Sequence, residues 1–158
     1  MDATFSATFT GQLEALLDGL RFVRRSTGVA SPIDIYESMV PRMTPDQVEG
    51  DDPPFVRWCI YAGEFTDRGL SSFELVVDFG IYTPGSIMDG SRELLTLTRR
   101  LSGLAGVTGF SPYKLQKPFS FRLGHPDANY EGVQPHPYHY GRLKLEFVYQ
   151  GDIRRCPH

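Results

Sequence analysis

The chain has 158 residues, 41% apolar and 22% charged, enough for one domain that buries roughly 68–70% of its unfolded surface without a disulfide or metal staple. Its net charge of -3 argues against a general nucleic-acid binder, and no apolar run approaches the ~20 residues of a membrane-spanning helix. Eleven Phe, eight Tyr and one Trp argue against disorder, which is poor in aromatics. The opening MDATFSATFTGQLEALL lacks the basic and apolar regions of a signal peptide. The two cysteines, Cys59 and Cys156, form neither a zinc pattern nor a disulfide framework, which fits a reducing compartment. Cys59 stands in the apolar run Trp58-Cys59-Ile60 and reads as a small core residue.

The first predicted element is a helix. Phe5, Phe9, Leu13, Leu16, Leu17, Leu20 and Val23 recur at spacings of three and four, which makes one apolar stripe. Asp2 fits an N-cap and Gly28 a stop. Arg21, Arg24 and Arg25 then fall at the C-terminal end of the helix, where its dipole favours positive charge. Residues 31–54 hold five prolines, and Ile33, Ile35 and Tyr36 suggest a short strand leading into an exposed, mobile loop, acidic over 41–52.

Phe55 to Ala62 reads as a strand entered through Pro53-Pro54, since proline suits a strand's start. A turn around Thr66-Asp67-Arg68-Gly69 leads to a second strand. There Phe73, Leu75, Val77, Phe79 and Ile81 alternate with more polar neighbours. The pair predicts an antiparallel hairpin. A helix follows from about Asp89 to Leu104, with Ser86 or Asp89 as the cap and Leu94, Leu97, Leu101 and Leu104 on one face. Tyr113 to Leu123 predicts an edge or bulged strand, because Pro118 interrupts it. Residues 124–137 form a Pro/His-rich loop, the alternation Leu143, Leu145, Phe147, Tyr149 predicts the last strand, and 151–158 read as a frayed tail. The expected fold is a single α+β domain: a mostly antiparallel sheet of four to five strands with two helices on one face, the N-terminal helix first.

Chemical motifs are sparse. His125, His136 and His139 cluster within fifteen residues, but their spacing matches no metal motif and no cysteine or close carboxylate pair completes a tetrahedral set. Gly103, Gly106 and Gly109 lack the strand-loop-helix context and the Lys-Ser/Thr pair of a phosphate-binding loop. No serine stands in a nucleophile elbow. Basic and aromatic residues interleave around Tyr113-Lys114 and Phe121-Arg122 as on a nucleic-acid stacking surface, though strand alternation yields the same pattern. No catalytic, cofactor-binding or metal-ligating residue is assigned, and the expectation is a non-enzyme without a cofactor. Charge is blocked along the chain. Residues 34–52 carry six acids against Arg42, and residues 99–158 carry nine Lys and Arg against four acids.

The order of elements supplies a resemblance. Pro53-Pro54-Phe55-Val56 opens a strand, and its hairpin partner ends in Gly80-Ile81-Tyr82-Thr83. The helix follows after a short turn, and Gln134-Pro135-His136-Pro137-Tyr138-His139-Tyr140-Gly141-Arg142-Leu143 opens the final strand. Over roughly residues 53–150 this order resembles the tail terminator, or tail completion, proteins of long-tailed bacteriophages. The resemblance implies a structural, non-catalytic protein of a virion or prophage, assembled in the host cytoplasm as a hexameric ring. Such a ring caps the tail tube, ends its polymerisation and presents a surface for joining the head. The implied partners are further copies of the chain, the major tail tube protein and head-tail joining proteins, with neither membrane nor specific nucleic-acid recognition. A head-closure or connector protein is the alternative of the same kind, and a small adaptor or nucleic-acid-binding domain is one of a different kind. On this reading the residues expected at subunit or tube contacts are Asp46, Glu49, Asp51 and Asp52 of the acidic loop, together with Arg99, Arg100, Tyr138, Tyr140 and Arg142.

Overall fold

The computed structural model describes residues 3–37, 52–66, 69–107, 109–124, 134 and 136–149. The acidic segment 41–51, most of the loop 124–137 and the tail 151–158 lie outside the described residues. The architecture is α+β, with the N-terminal helix first. In chain order the elements are α1 (Ala3–Leu17), β1 (Arg21–Val23), β2 (Ala30–Pro32), β3 (Asp34–Glu37), β4 (Phe55–Thr66), β5 (Gly69–Tyr82), α2 (Ile87–Leu101), a 3-10 turn (Ser102–Gly106), β6 (Tyr113–Leu123) and β7 (Tyr138–Tyr149).

One five-stranded sheet runs in the order β3-β4-β5-β7-β6, and β1 and β2 form a separate two-stranded ribbon. All neighbours in the large sheet are antiparallel except β3 and β4, which run parallel. The sequence carried no expectation for how β3 pairs, and the β3–β4 pair is the parallel exception in a mostly antiparallel sheet.

The predicted first helix is shorter than its apolar stripe. It stops at Leu17, because Gly19 takes a left-handed conformation (φ 80) that only glycine adopts without strain. The Leu20 amide then donates to the Leu17 carbonyl, and the chain leaves as β1. Gly28 is therefore no helix stop. It closes the β1–β2 turn with φ 71, its amide donating to Arg24. The second helix matches its pattern closely. Ser86 is the cap, its hydroxyl accepting from the Asp89 amide at 3.1 Å, and Leu94, Leu97 and Leu101 face the core. The hairpin strands β4 and β5 run further than the alternation alone suggests, with bulges between Ile60 and Ala62 and between Glu64 and Phe65. β6 lies at a sheet edge, and its pairing with β7 shifts between Gln116 and Ser120, the stretch that contains Pro118.

The core lies between the helices and one face of the sheet. From β4, β5 and β7 it takes Val56, Trp58, Phe73, Leu75, Val77, Phe79, Leu143, Leu145 and Phe147. From α1 it takes Phe5, Phe9, Leu13 and Leu17. Gly141 marks how tightly the strands pack: a Cβ there would overlap the buried Phe79 ring and touch Leu123. Gly11 on α1 has open space around its would-be Cβ. Two substitutions should therefore act in opposite directions in thermal unfolding. Gly141→Ala should cost about 1–3 kcal/mol through overpacking. Gly11→Ala should add up to about 1 kcal/mol through helix propensity.

Candidate functional site

The nine residues expected at contacts fall into four groups. Asp46, Glu49 and Asp51 lie outside the described residues. Asp52, Arg100, Tyr140 and Arg142 make contacts that fasten parts of the chain to one another. Tyr138 is half-buried at the start of β7, and Arg99, like Arg100, is exposed.

Asp52 belongs to a clamp between the β1–β2 ribbon and the entry to β4. Its carboxylate accepts from the Ser26 amide at 2.8 Å and the Ser26 hydroxyl at 2.6 Å. Burial alone would raise this carboxyl, but the Ser26 hydrogen bonds and the Arg24 guanidinium outweigh it and hold it below the usual carboxylate range. Arg24 is the centre of the clamp. Its guanidinium donates to the Ser31 hydroxyl, the Asp52 carbonyl and the Pro32 carbonyl, and pairs with Asp34 at 2.9 Å. The sequence pattern placed Arg24 at a helix end. The structure puts it at the end of a strand, where its planar fork ties three segments together.

Arg142 likewise points into the protein. Its Nε and Nη2 grip the two oxygens of Asp78 at 2.6 and 2.9 Å in the bidentate geometry of a strong pair. Register places Arg57, Asp78, Arg142 and Arg122 in one row across four strands, on the sheet face away from the helices. Cys59 lies on that same face and is buried. Burial and the nearby Asp78 carboxylate push its thiol upward against the pull of Arg142 and Arg57, so the thiol stays protonated. Tyr140 is also buried and packs with Phe55: its side chain fills a small second core. Tyr138 stacks on Tyr140, with ring centroids 6.2 Å apart and planes at 5°, and the Arg25 guanidinium sits 5.9 Å over its ring.

Gln134 was not singled out as functional, and it holds this end of β7 in place. Its side-chain amide donates to the Tyr140 carbonyl at 2.9 Å and accepts from the Tyr140 amide at 2.8 Å. It thereby substitutes for a strand neighbour beyond the last β6 pair, Leu123 with Gly141. A glutamine in a loop carries no sequence signal for such a role.

Arg99 and Arg100 share the last turn of α2 and do different things. The Arg100 guanidinium donates to the carbonyls of Leu16 at 3.1 Å and Asp18 at 3.3 Å, satisfying carbonyls that the C-terminus of α1 leaves open. Arg99 lies with Arg92 on the outward side of the helix. Near them Ile87, Met88 and Leu95 are 64%, 63% and 45% exposed, a cluster of large apolar side chains on one helix surface.

The histidines do not assemble a metal site among the described residues, where no three His, Cys, Asp or Glu groups are placed to hold an ion. His136 and His139 are neighbours, with ring centroids 5.8 Å apart, and His125 lies outside the described residues. His139 faces the first turn of α2 at Gly90, where a Cβ would overlap its ring. It is 1% exposed, and among the described residues neither ring nitrogen has a hydrogen-bond partner. Thr83, next to the last residue of β5, donates to Glu93 of α2 at 2.7 Å and closes the same junction.

Comparison with protein-family models and with curated proteins finds no match for the chain.

Two tests follow from these side chains. Arg100→Ala should lower stability in urea by roughly 0.5–1.5 kcal/mol, the worth of its hydrogen bonds, while Arg99→Ala should change it by less than about 0.5 kcal/mol. His139 sets a pH dependence. Burial, and then the neighbouring His136, depress its proton affinity below the ordinary 6.5, with the Pro137 backbone opposing in part. The unfolded chain thus takes up a proton that the folded chain refuses. The stability conferred by neutral His139 is complete above 6.5 and falls as pH drops toward the lower folded value. The urea midpoint should decrease between about pH 7 and about pH 5, and His139→Leu should flatten that decrease.

Proposed function

We propose that the chain is a structural assembly protein of the tail terminator kind, whose copies close into a ring that caps a tail tube and offers a surface for head joining. The observation that supports this reading is the layering. A single sheet carries both helices on one face, and its two edge strands are unlike: β3 is short and pairs parallel, and β6 is long and pairs antiparallel. A ring that closes by rotation uses a different surface on each side of every copy, and two unlike flanks meet that need. The order of strands and helices also follows the order on which the resemblance rests.

On this reading the protein performs no chemistry, and its work is geometric. It binds its own copies, ends the stacking of tube subunits and passes a defined surface to the head-joining proteins. Light scattering over a range of concentrations, with images of the same fractions, should show rings at six times the 17.8 kDa chain mass, either alone or once tail tubes are added. A closed dimer, or a monomer that ignores tail tubes, would overturn the reading. A ring that forms but never binds tubes would point to a head-tail connector.

A further inference from the structure

Among the described residues, the buried side-chain polar atoms that lack a hydrogen-bond partner are the two ring nitrogens of His139. Buried polar groups are ordinarily paired, so this ring is held in place by its packing and at a cost. The sheet lies on one side of it, where register sets Ile81 of β5 beside it. The first turn of α2 lies on the other side and crosses the ring at Gly90, which is buried. The ring atoms nearest to a would-be Gly90 Cβ are Cε1, Nε2 and Nδ1. The nitrogen-bearing edge of the imidazole is therefore the edge that meets the helix.

That edge is a poor place for a second proton. A protonated imidazole presents two N–H donors and a full charge, and the turn above it is the positive end of the α2 dipole. The charged groups around the ring do not offset this. On α2, the Asp89 carboxylate lies by Gly85, and Glu93 accepts from the Thr83 hydroxyl at 2.7 Å. On β7, His136 stands with its ring centroid 5.8 Å away and disfavours a further charge. On β5, Ile81 and Thr83 are not ionisable, and Tyr82 between them packs against Tyr138.

The hold on α2 is uneven along its length. Leu94, Leu97 and Leu101 anchor the later turns in the core, whereas Ser86 to Asp89 are exposed. The Thr83 amide donates to the Pro137 carbonyl at 2.9 Å, which ties the end of β5 to β7. A hinge for the first turn thus falls after Thr83, at the exposed Pro84 and Gly85.

We propose that the first turn of α2 is a latch closed over neutral His139, and that protonation of the ring releases residues 86–91 from the sheet while the later turns stay on the core. The latch goes beyond the ring reading and does not depend on it. The released turn carries Ile87 and Met88, two of the large exposed apolar side chains, so acidification changes how that surface is presented.

The ring titrates near its ordinary 6.5 once released and lower while covered, so release should become about tenfold more frequent between about pH 7.5 and about pH 5.5. Amide hydrogen exchange on the full chain, read residue by residue and corrected for intrinsic rates, tests this. Protection at Asp89, Gly90 and Ser91 should fall by that factor and should not respond to urea below the unfolding transition, the mark of a local opening. Amides of Leu97 and of the β5 and β7 core should exchange only through urea-sensitive global unfolding. His139→Leu should remove the pH dependence of the turn. Gly90→Ala, which drives a Cβ into the ring, should leave the turn poorly protected at both pH values. Should His139→Leu not fold, the wild-type pattern together with Gly90→Ala decides. Turn amides that share the urea slope of the core reduce the effect to global stability and overturn the latch. Protection of the turn that does not change with pH overturns it, because the ring then leaves by itself or stays neutral. So does a pH effect that persists in His139→Leu, or a Gly90→Ala turn as well protected as wild type.

Discussion

Phe5 and Phe9, one helical turn apart, seat α1 on the sheet, and the rest of the molecule is placed by that seat. Phe5 meets the rings of Trp58, Phe73, Phe110, Tyr113 and Phe147, and Phe9 meets Trp58, Phe110 and Phe147. These rings come from β4, β5, β6, β7 and the turn before β6, so one helix is fastened to four strands at once. Burial of each large side chain contributes roughly 1.5–3 kcal/mol, and each favourable ring pair adds about 0.5–1.5 kcal/mol. With α1 fixed in this way, its last carbonyls come within reach of Arg100, and Gly103 approaches Leu16 so closely that a Cβ there would make the Leu16 side chain shift.

Arginine does two kinds of work in this protein, and the surroundings decide which. Arg24, Arg100 and Arg142 each spend their guanidinium on fixed oxygens inside the chain: a clamp, a helix end and a cross-strand carboxylate. Arg92 and Arg99 stand on the outer side of α2. The linear blocks of acid and base do not distinguish these roles, because neighbours in sequence such as Arg99 and Arg100 point in directions about 100° apart. Helical geometry, together with the position of the adjacent helix, makes Arg100 a fastening between the two helices, while both arginines remain exposed.

This explains which parts of the structure were legible in the sequence. Period-two alternation fixed the core face of β5 and β7, since each strand has one dry side, and the leucine spacing with Ser86 fixed α2. The end of α1 was not legible. Leu20 and Val23 continue the apolar spacing, and only the left-handed turn at Gly19 tells a helix from a helix followed by a strand. The parallel β3–β4 pairing was hidden for a different reason: it is decided by where a connection returns, and the four residues of β3 carry no period of their own. For the candidate surface, charge was visible as composition but not as direction. Tyr140 and Arg142 were expected at contacts, and strand alternation does not tell what each side chain meets. Both belong to the face of the sheet away from the helices, where one fills a small core and the other grips Asp78. Gln134 and Gly90 act through a single neighbour each, and pairwise roles of that kind leave no pattern along the chain.

The seat of α1 has a consequence for how the chain is made. The helix is synthesised before the sheet on which it sits, and its ring partners emerge after it: Phe73, then Phe110 and Tyr113, then Phe147. Until β7 is complete, Phe5 and Phe9 have no finished socket, and an early helix of this length is marginal in water. Contacts spanning nearly the whole sequence carry a large loop-closure cost and come together late. Of the segments that share this core, the one made earliest is thus the last to settle, and a nascent chain halted before β7 exposes Phe5 and Phe9 to the cell's quality control.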